Sequence, residues 1–182
     1  MDSHTMETNE WITPLDRRAA YVKKLPGDFV YMRMSDFTKP DEVNRVFNDN
    51  LPLMREANGV IFDIRGNRGG TDESWNLKCP IVVLTNGYTG SAAENFAIKM
   101  KNLGLATLIG SHTIGVVSHP RYFNLPNGYR YGLSTWAYFN PDGTGIIETG
   151  IIPDIEVEFS VNDLINGKDS QLDKAVEYLK SY

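Results

Sequence analysis

Ile81-Val82-Val83-Leu84-Thr85-Asn86-Gly87-Tyr88-Thr89-Gly90-Ser91-Ala92-Ala93-Glu94-Asn95-Phe96 opens on a short apolar run, crosses a polar turn and enters a helical pattern. Ala92, Phe96, Met100 and Leu103 fall on one helix face, and Gly104 stops it. The spacing therefore predicts strand, tight turn, helix. A serine at that junction carries an exposed hydroxyl. The amide of the next residue, Ala92, is a first-turn donor that no intrahelical acceptor satisfies. An accessible oxygen beside a backbone N–H able to hold an oxyanion is what a serine nucleophile needs. The same position also suits a plain N-cap serine, and the local pattern does not separate the two.

The flanking chain repeats the strand–helix alternation. Val60-Ile61-Phe62-Asp63-Ile64 is a near-continuous apolar run, the pattern of a strand buried on both faces, and Ala106-Thr107-Leu108-Ile109 is another, ended by Gly110. Upstream, Phe29 to Met34 reads as a strand opened by Pro26-Gly27-Asp28. A helix follows, with Thr38 as its cap, Pro40 in its first turn, and Val43, Val46, Phe47, Leu51 and Met54 at helical spacing; Pro52 is expected to kink or split it. The order argues an α/β fold with a mainly parallel sheet and flanking helices. After Gly115 the pattern changes. Tyr122 to Leu125 and Tyr129 to Leu133 flank Pro126-Asn127-Gly128, a β-hairpin signal. Ile155-Glu156-Val157 is a last strand, and Leu172, Ala175, Val176 and Leu179 mark a C-terminal amphipathic helix. Residues 1–26 are polar and form a separate N-terminal segment, leaving 27–182 as the core domain.

Composition narrows the function classes. The 182 residues suffice for one domain, and 41% hydrophobic with 23% charged residues is ordinary globular usage. A net charge of −5 without a basic run disfavours nucleic-acid binding. Apolar runs stay far below the ~20 residues of a membrane span. Cys79 is the one cysteine, so no intrachain disulfide can form, and it reads as a small buried hydrophobe. His4, His112 and His119 lack metal-ligand spacing.

Arg65-Gly66-Asn67-Arg68-Gly69-Gly70 follows the Val60 strand as a tight loop whose amides can cradle an anion. Neither G-x-G-x-x-G nor GK[ST] is present, so a dinucleotide fold or P-loop is excluded. Val60 to Gly70 resembles a "hydrophobic–D–x–R–G–N–x–G–G" strand-loop, Thr89 to Glu94 a nucleophile motif, and Gly150-Ile151-Ile152-Pro153-Asp154-Ile155-Glu156-Val157 a "GxxPDxxV" signature. In this order they resemble the tail-specific (C-terminal processing) and tricorn-like serine peptidases, over about Phe29 to Leu179. That resemblance implies a crotonase/ClpP-like α/β core.

It also directs attention to the base. The processing enzymes pair their serine with a lysine 25 positions later; here that position is Val116, which cannot take a proton. The tricorn-like branch uses a histidine from the N-terminal side, in an "SH" or "DgHT" motif. Asp2-Ser3-His4-Thr5, otherwise readable as a vector-derived leader, matches it. The branch places an orienting glutamate just before the "GxxPD" element, where Glu148 stands. The resemblance thus implies Ser91 as nucleophile, His4 as base, and Glu148 as its orienter, acting through Ser3. Ala92 and one amide of the Gly69-Gly70 pair would hold the oxyanion. His112 and His119 are rival bases near the missing lysine, though neither falls on its position. No metal or organic cofactor is implied, and the partner is a polypeptide substrate. An extracytoplasmic setting is expected from the family.

Two spans are short against the pattern. A PDZ-like stretch before Phe29 is missing, and only Thr71 to Lys78 fills the place of a longer helical segment. A different reading stays open. The same fold occurs in repeats of the interphotoreceptor retinoid-binding protein, so the domain could bind a hydrophobic ligand. Tyr122, Phe123, Tyr129, Tyr131, Trp136 and Tyr138 would then line the site; otherwise they are core and sheet face.

Overall fold

The computed structural model describes residues 18–71, 77–118, 120–135, 137–139, 143–147 and 149–182. In chain order its elements are β1 (Ala20–Leu25), β2 (Phe29–Met34), α1 (Pro40–Glu56), β3 (Gly59–Asp63), β4 (Ile81–Thr85), α2 (Ala92–Asn102) and β5 (Thr107–Gly110). They continue with β6 (Pro120–Asn124), β7 (Arg130–Ser134), β8 (Ile155–Glu156), α3 (Val161–Ile165) and α4 (Ser170–Leu179). The main sheet has strand order β1-β2-β3-β4-β5-β8. β1 pairs antiparallel with β2, and every other pairing is parallel.

All five residues of β3 and of β4 are buried because helices cover both faces. Val60, Phe62, Ile81 and Val83 face α1 and α2, packing with Phe47, Met54 and Phe96. Their alternates Ile61, Val82, Leu84 and Ile109 face α4, against Leu172, Ala175 and Leu179. Phe96 meets Phe37 and Phe62 edge-on, with centroids 6.0 Å apart in each pair. Burying a side chain of this size contributes about 1.5–3 kcal/mol, so α2 is held by its apolar face.

Several local expectations are corrected. The cap of α1 is Lys39, because the Thr38 hydroxyl donates to Asp36 Oδ1 at 2.6 Å instead of serving the helix. The helix runs through Pro52 without splitting. Leu103 lies at the C-cap of α2, not on its buried face, and is 65% exposed. β1 falls within the segment that sequence patterning left unassigned; as an edge strand it carries Lys23 and Lys24, which discourage edge-to-edge association. The hairpin forms with its expected turn, closed by Leu125 N–H to Tyr129 O at 2.7 Å. Its Tyr122, Phe123, Tyr129 and Tyr131 are neither core nor the lining of a described cavity, whereas Tyr138 packs partly buried against the core and Trp136 lies outside the described residues. Every residue from Pro120 to Thr135 is exposed, because the ribbon is a separate two-stranded sheet packed on itself, with Phe123 stacked on Tyr131 at 5.3 Å.

A buried ion network ties β3 to the start of α4. Asp63 accepts from Arg65 Nη2 at 2.7 Å, from Arg33 Nη1 at 3.1 Å and from the Tyr31 hydroxyl at 2.7 Å. Arg65 also reaches both Asp169 oxygens, at 2.8 and 2.7 Å, while Asp169 caps α4 through Leu172 N–H. Burial pushes the Asp63 carboxyl up, but the charges of Arg65 and Arg33 and the hydrogen bonds from Arg65 and the Tyr31 hydroxyl outweigh it and hold the group well below the usual carboxylate range. A carboxyl depressed on folding contributes stability that is fully present above its unfolded value, about 3.9, and is lost as pH falls below it. Asp63→Asn removes the buried carboxylate between Arg33 and Arg65, leaves Arg65 with Asp169 as its one carboxylate partner among the described residues, and should destabilise the fold by about 3–5 kcal/mol. Urea unfolding between pH 5 and 2 checks this, since the variant should lose less stability with acid than the parent.

Candidate active site

Parallel neighbours release their following loops at the same end of a sheet, so the loops after β3 and β4 meet. Three hydrogen bonds join them. Thr89 Oγ1 donates to Ile64 O at 3.2 Å, Gly90 N–H to Asn67 O at 2.8 Å, and Gly66 N–H to Asn86 Oδ1 at 2.9 Å. Asn67 is fully buried; its amide nitrogen donates to Met34 O at 3.1 Å and its oxygen accepts from Gly69 N–H at 2.8 Å. The glycine loop is thereby fixed against the serine turn.

Ser91 occupies φ 53°, ψ −122°. An ordinary N-cap residue has β-region dihedrals. This backbone is instead the sparsely populated conformation that costs a non-glycine residue about 1–3 kcal/mol and concentrates at functional sites. Gly90 O accepts from Ala93 N–H at 3.1 Å and closes the turn, with Ser91 at its apex. The junction is thus a sharp strand-to-helix elbow, the kind of turn on which a nucleophile can be presented.

Gly69 lies against that elbow with φ +103°. A Cβ there would sit 2.7 Å from Ala92 N and 2.7 Å from Ser91 Cβ. Only glycine leaves room beside the Ala92 amide. That amide donates no hydrogen bond among the described residues, and neither does the amide of Gly70. The Gly69 amide is committed to Asn67, so of the glycine pair only Gly70 has a donor to spare. Gly70 is itself wedged, since a Cβ would fall 2.0 Å from the Phe37 carbonyl group.

The loop after β5 closes the other side. Val116, the position 25 after Ser91, packs on the turn: its Cγ2 is 3.2 Å from where a Cβ on Gly90 would lie. The chain thus brings this position to the serine with an aliphatic side chain. His112 is directed to Glu156, Nε2 to Oε1 3.4 Å, and is 44% exposed. Ser3, His4, His119 and Glu148 lie outside the described residues.

Glu94, Asn67 and Thr113 are buried polar residues of this site that sequence reasoning did not single out. Glu94 accepts from Ser91 N–H at 2.9 Å. The signal was present, because Ser91-Ala92-Ala93-Glu94 fits the S-x-x-E spacing of a capping box.

Residues 74–157 match the sequence profile described as peptidase family S41. The match runs from before β4 through the serine elbow to the end of the "GxxPDxxV" stretch. Residues 74–157 thus carry a peptidase family S41 domain match. Among S41-type relatives, the tricorn protease of Thermoplasma acidophilum is 37% identical over 106 residues, covering 57% of this chain and 10% of that protein. A carboxy-terminal-processing protease of Bartonella bacilliformis is 35% identical, covering 82% of this chain and 43% of that protein. The chain thus spans less than half the length of either. The crystal structure of the tricorn protease superposes with a TM-score of 0.69 at 27% identity, over 84% of this chain and 18% of that one. The photosystem II D1 C-terminal processing protease shares the fold, with a TM-score of 0.62 at 20% identity over 77% of this chain and 48% of that one.

Proposed function

We propose that this chain is an S41-type serine endopeptidase with Ser91 as its nucleophile. Ser91 Oγ attacks the scissile carbonyl, and the oxyanion that forms is held by the amides of Ala92 and Gly70. His4 takes the serine proton and returns it to the leaving amine. Glu148 keeps the imidazole in orientation through Ser3. The acyl-enzyme is then hydrolysed by water with His4 again as base. The observation that carries this reading is the strained elbow at Ser91, packed on a glycine that alone leaves the Ala92 amide accessible. A capping serine needs neither feature. Val116 at the lysine position supports a base from elsewhere in the chain, and the likeness to the tricorn protease supports the N-terminal histidine. The extracytoplasmic setting expected of the family is part of the same proposal.

Incubation of the purified protein with an unstructured polypeptide such as reduced casein tests the activity. Internal cleavage products, identified by mass spectrometry and suppressed by a fluorophosphonate, are expected. Saturable retinoid or fatty-acid binding without any cleavage would favour the hydrophobic-ligand reading.

A further inference from the structure

Glu94 is fully buried on the first turn of α2, and both carboxyl oxygens are used as acceptors. Oε2 accepts from Ser91 N–H at 2.9 Å and from Val116 N–H at 3.0 Å. Oε1 accepts from Gly115 N–H at 2.7 Å and from the Thr113 hydroxyl at 2.5 Å. Thr113 Oγ1 donates its proton to Glu94 and itself accepts from Ile151 N–H at 2.7 Å. One side chain therefore joins the serine elbow, the loop after β5 and the start of the "GxxPD" stretch. Gly150 completes the seam: a Cβ there would fall 2.1 Å from Thr113 O.

We infer that Glu94 is a positioning residue for the peptidase reaction, holding Ser91 in its strained conformation and reserving the oxyanion site for other donors. The inference rests on the peptidase reading of Ser91. A strained backbone persists only where its surroundings over-determine it. Here the amide of the strained residue is fastened to the same group that fixes Gly115 and Val116. The bond has a second effect. The nucleophile's own N–H is turned into the protein, so it is withdrawn from the oxyanion site and leaves that task to Ala92 and Gly70. A glutamine cannot replace the carboxyl group. Its single oxygen can serve one side, while its NH2 would face N–H donors on the other.

The test compares the parent with Glu94→Gln by fluorophosphonate acylation and polypeptide hydrolysis. Misplacing a nucleophile by about 1 Å can cost about 100-fold. We expect acylation and kcat to fall by about that factor, with KM within about threefold of the parent and a cooperative thermal transition retained. Amide exchange should show lost protection at Ser91, Gly115 and Val116, with the β3 and β4 amides unchanged. Acylation within about threefold of the parent overturns the inference, as does unchanged protection of the three amides. Where Glu94→Gln fails to fold, Thr113→Val removes one clamp point and should slow acylation about tenfold, with Thr113→Ser restoring it; parental rates in Thr113→Val overturn the inference. A parent protein that never acylates contradicts the peptidase reading instead. The exchange pattern then decides whether Glu94 holds the elbow.

Discussion

Ser91→Ala should reduce polypeptide hydrolysis by about 10⁵- to 10⁶-fold while leaving the fold intact. Members of a nucleophile–base pair act as a unit, so removing either costs nearly as much as removing both. His4→Ala should therefore match Ser91→Ala within about tenfold, and the double variant should be no worse than the single ones. What remains is catalysis from the oxyanion donors and substrate binding. Stability should move the other way. An alanine at φ 53° is strained as serine is, so no relief is expected there; Ser91→Gly should relieve the strain and raise the unfolding free energy by about 1 kcal/mol or more. A variant that is inactive yet more stable marks a position selected for chemistry. Steady-state kinetics for the three alanine variants and urea denaturation for Ser91→Gly check both parts. A His4→Ala enzyme with parental turnover would move the base elsewhere, with His112 the described alternative.

Gly69→Ala should lower turnover by about 100- to 1,000-fold, the cost of losing an oxyanion donor. The methyl group would be placed 2.7 Å from both Ala92 N and Ser91 Cβ. Neither atom yields easily: Ala92 begins α2, and Ser91 is held by Glu94. Overpacking and the positive φ should add about 1–3 kcal/mol of destabilisation. Gly104→Ala is the control. Gly104 also has a positive φ, but a Cβ there meets nothing within 4 Å. It should cost about 1–2 kcal/mol of stability and leave turnover unchanged. Equal turnover losses in the two variants would mean that backbone strain, and not the space beside Ala92, is what matters at Gly69.

The fold was legible because its central strands are near-continuous apolar runs. Val60 to Ile64 and Ile81 to Leu84 could only be strands covered on both faces, and the mainly parallel sheet follows. Phe96 and Met100 marked the buried face of α2 in the same way. Ser91 and the glycine loop were legible as types in sequence order, and parallel pairing of β3 with β4 explains why they meet. Less visible were features set by tertiary competition. Thr38 looked like a cap, but Asp36 takes its hydroxyl. Phe123 and Tyr131 looked like core, yet they stack on each other across their own exposed ribbon. The role of Glu94 needs the backbone of Gly115 and Val116, which sequence spacing does not bring to it. The strain at Ser91 is a property of two dihedral angles, and residue type alone does not carry it.

The most direct test of Ser91 as nucleophile is covalent. The purified protein is treated with a biotinylated fluorophosphonate, digested, and mapped by tandem mass spectrometry. A single adduct on Ser91, absent after Ser91→Ala, is the predicted result. An unmodified Ser91 under conditions that label a control serine hydrolase, or an adduct that persists in Ser91→Ala, would contradict it.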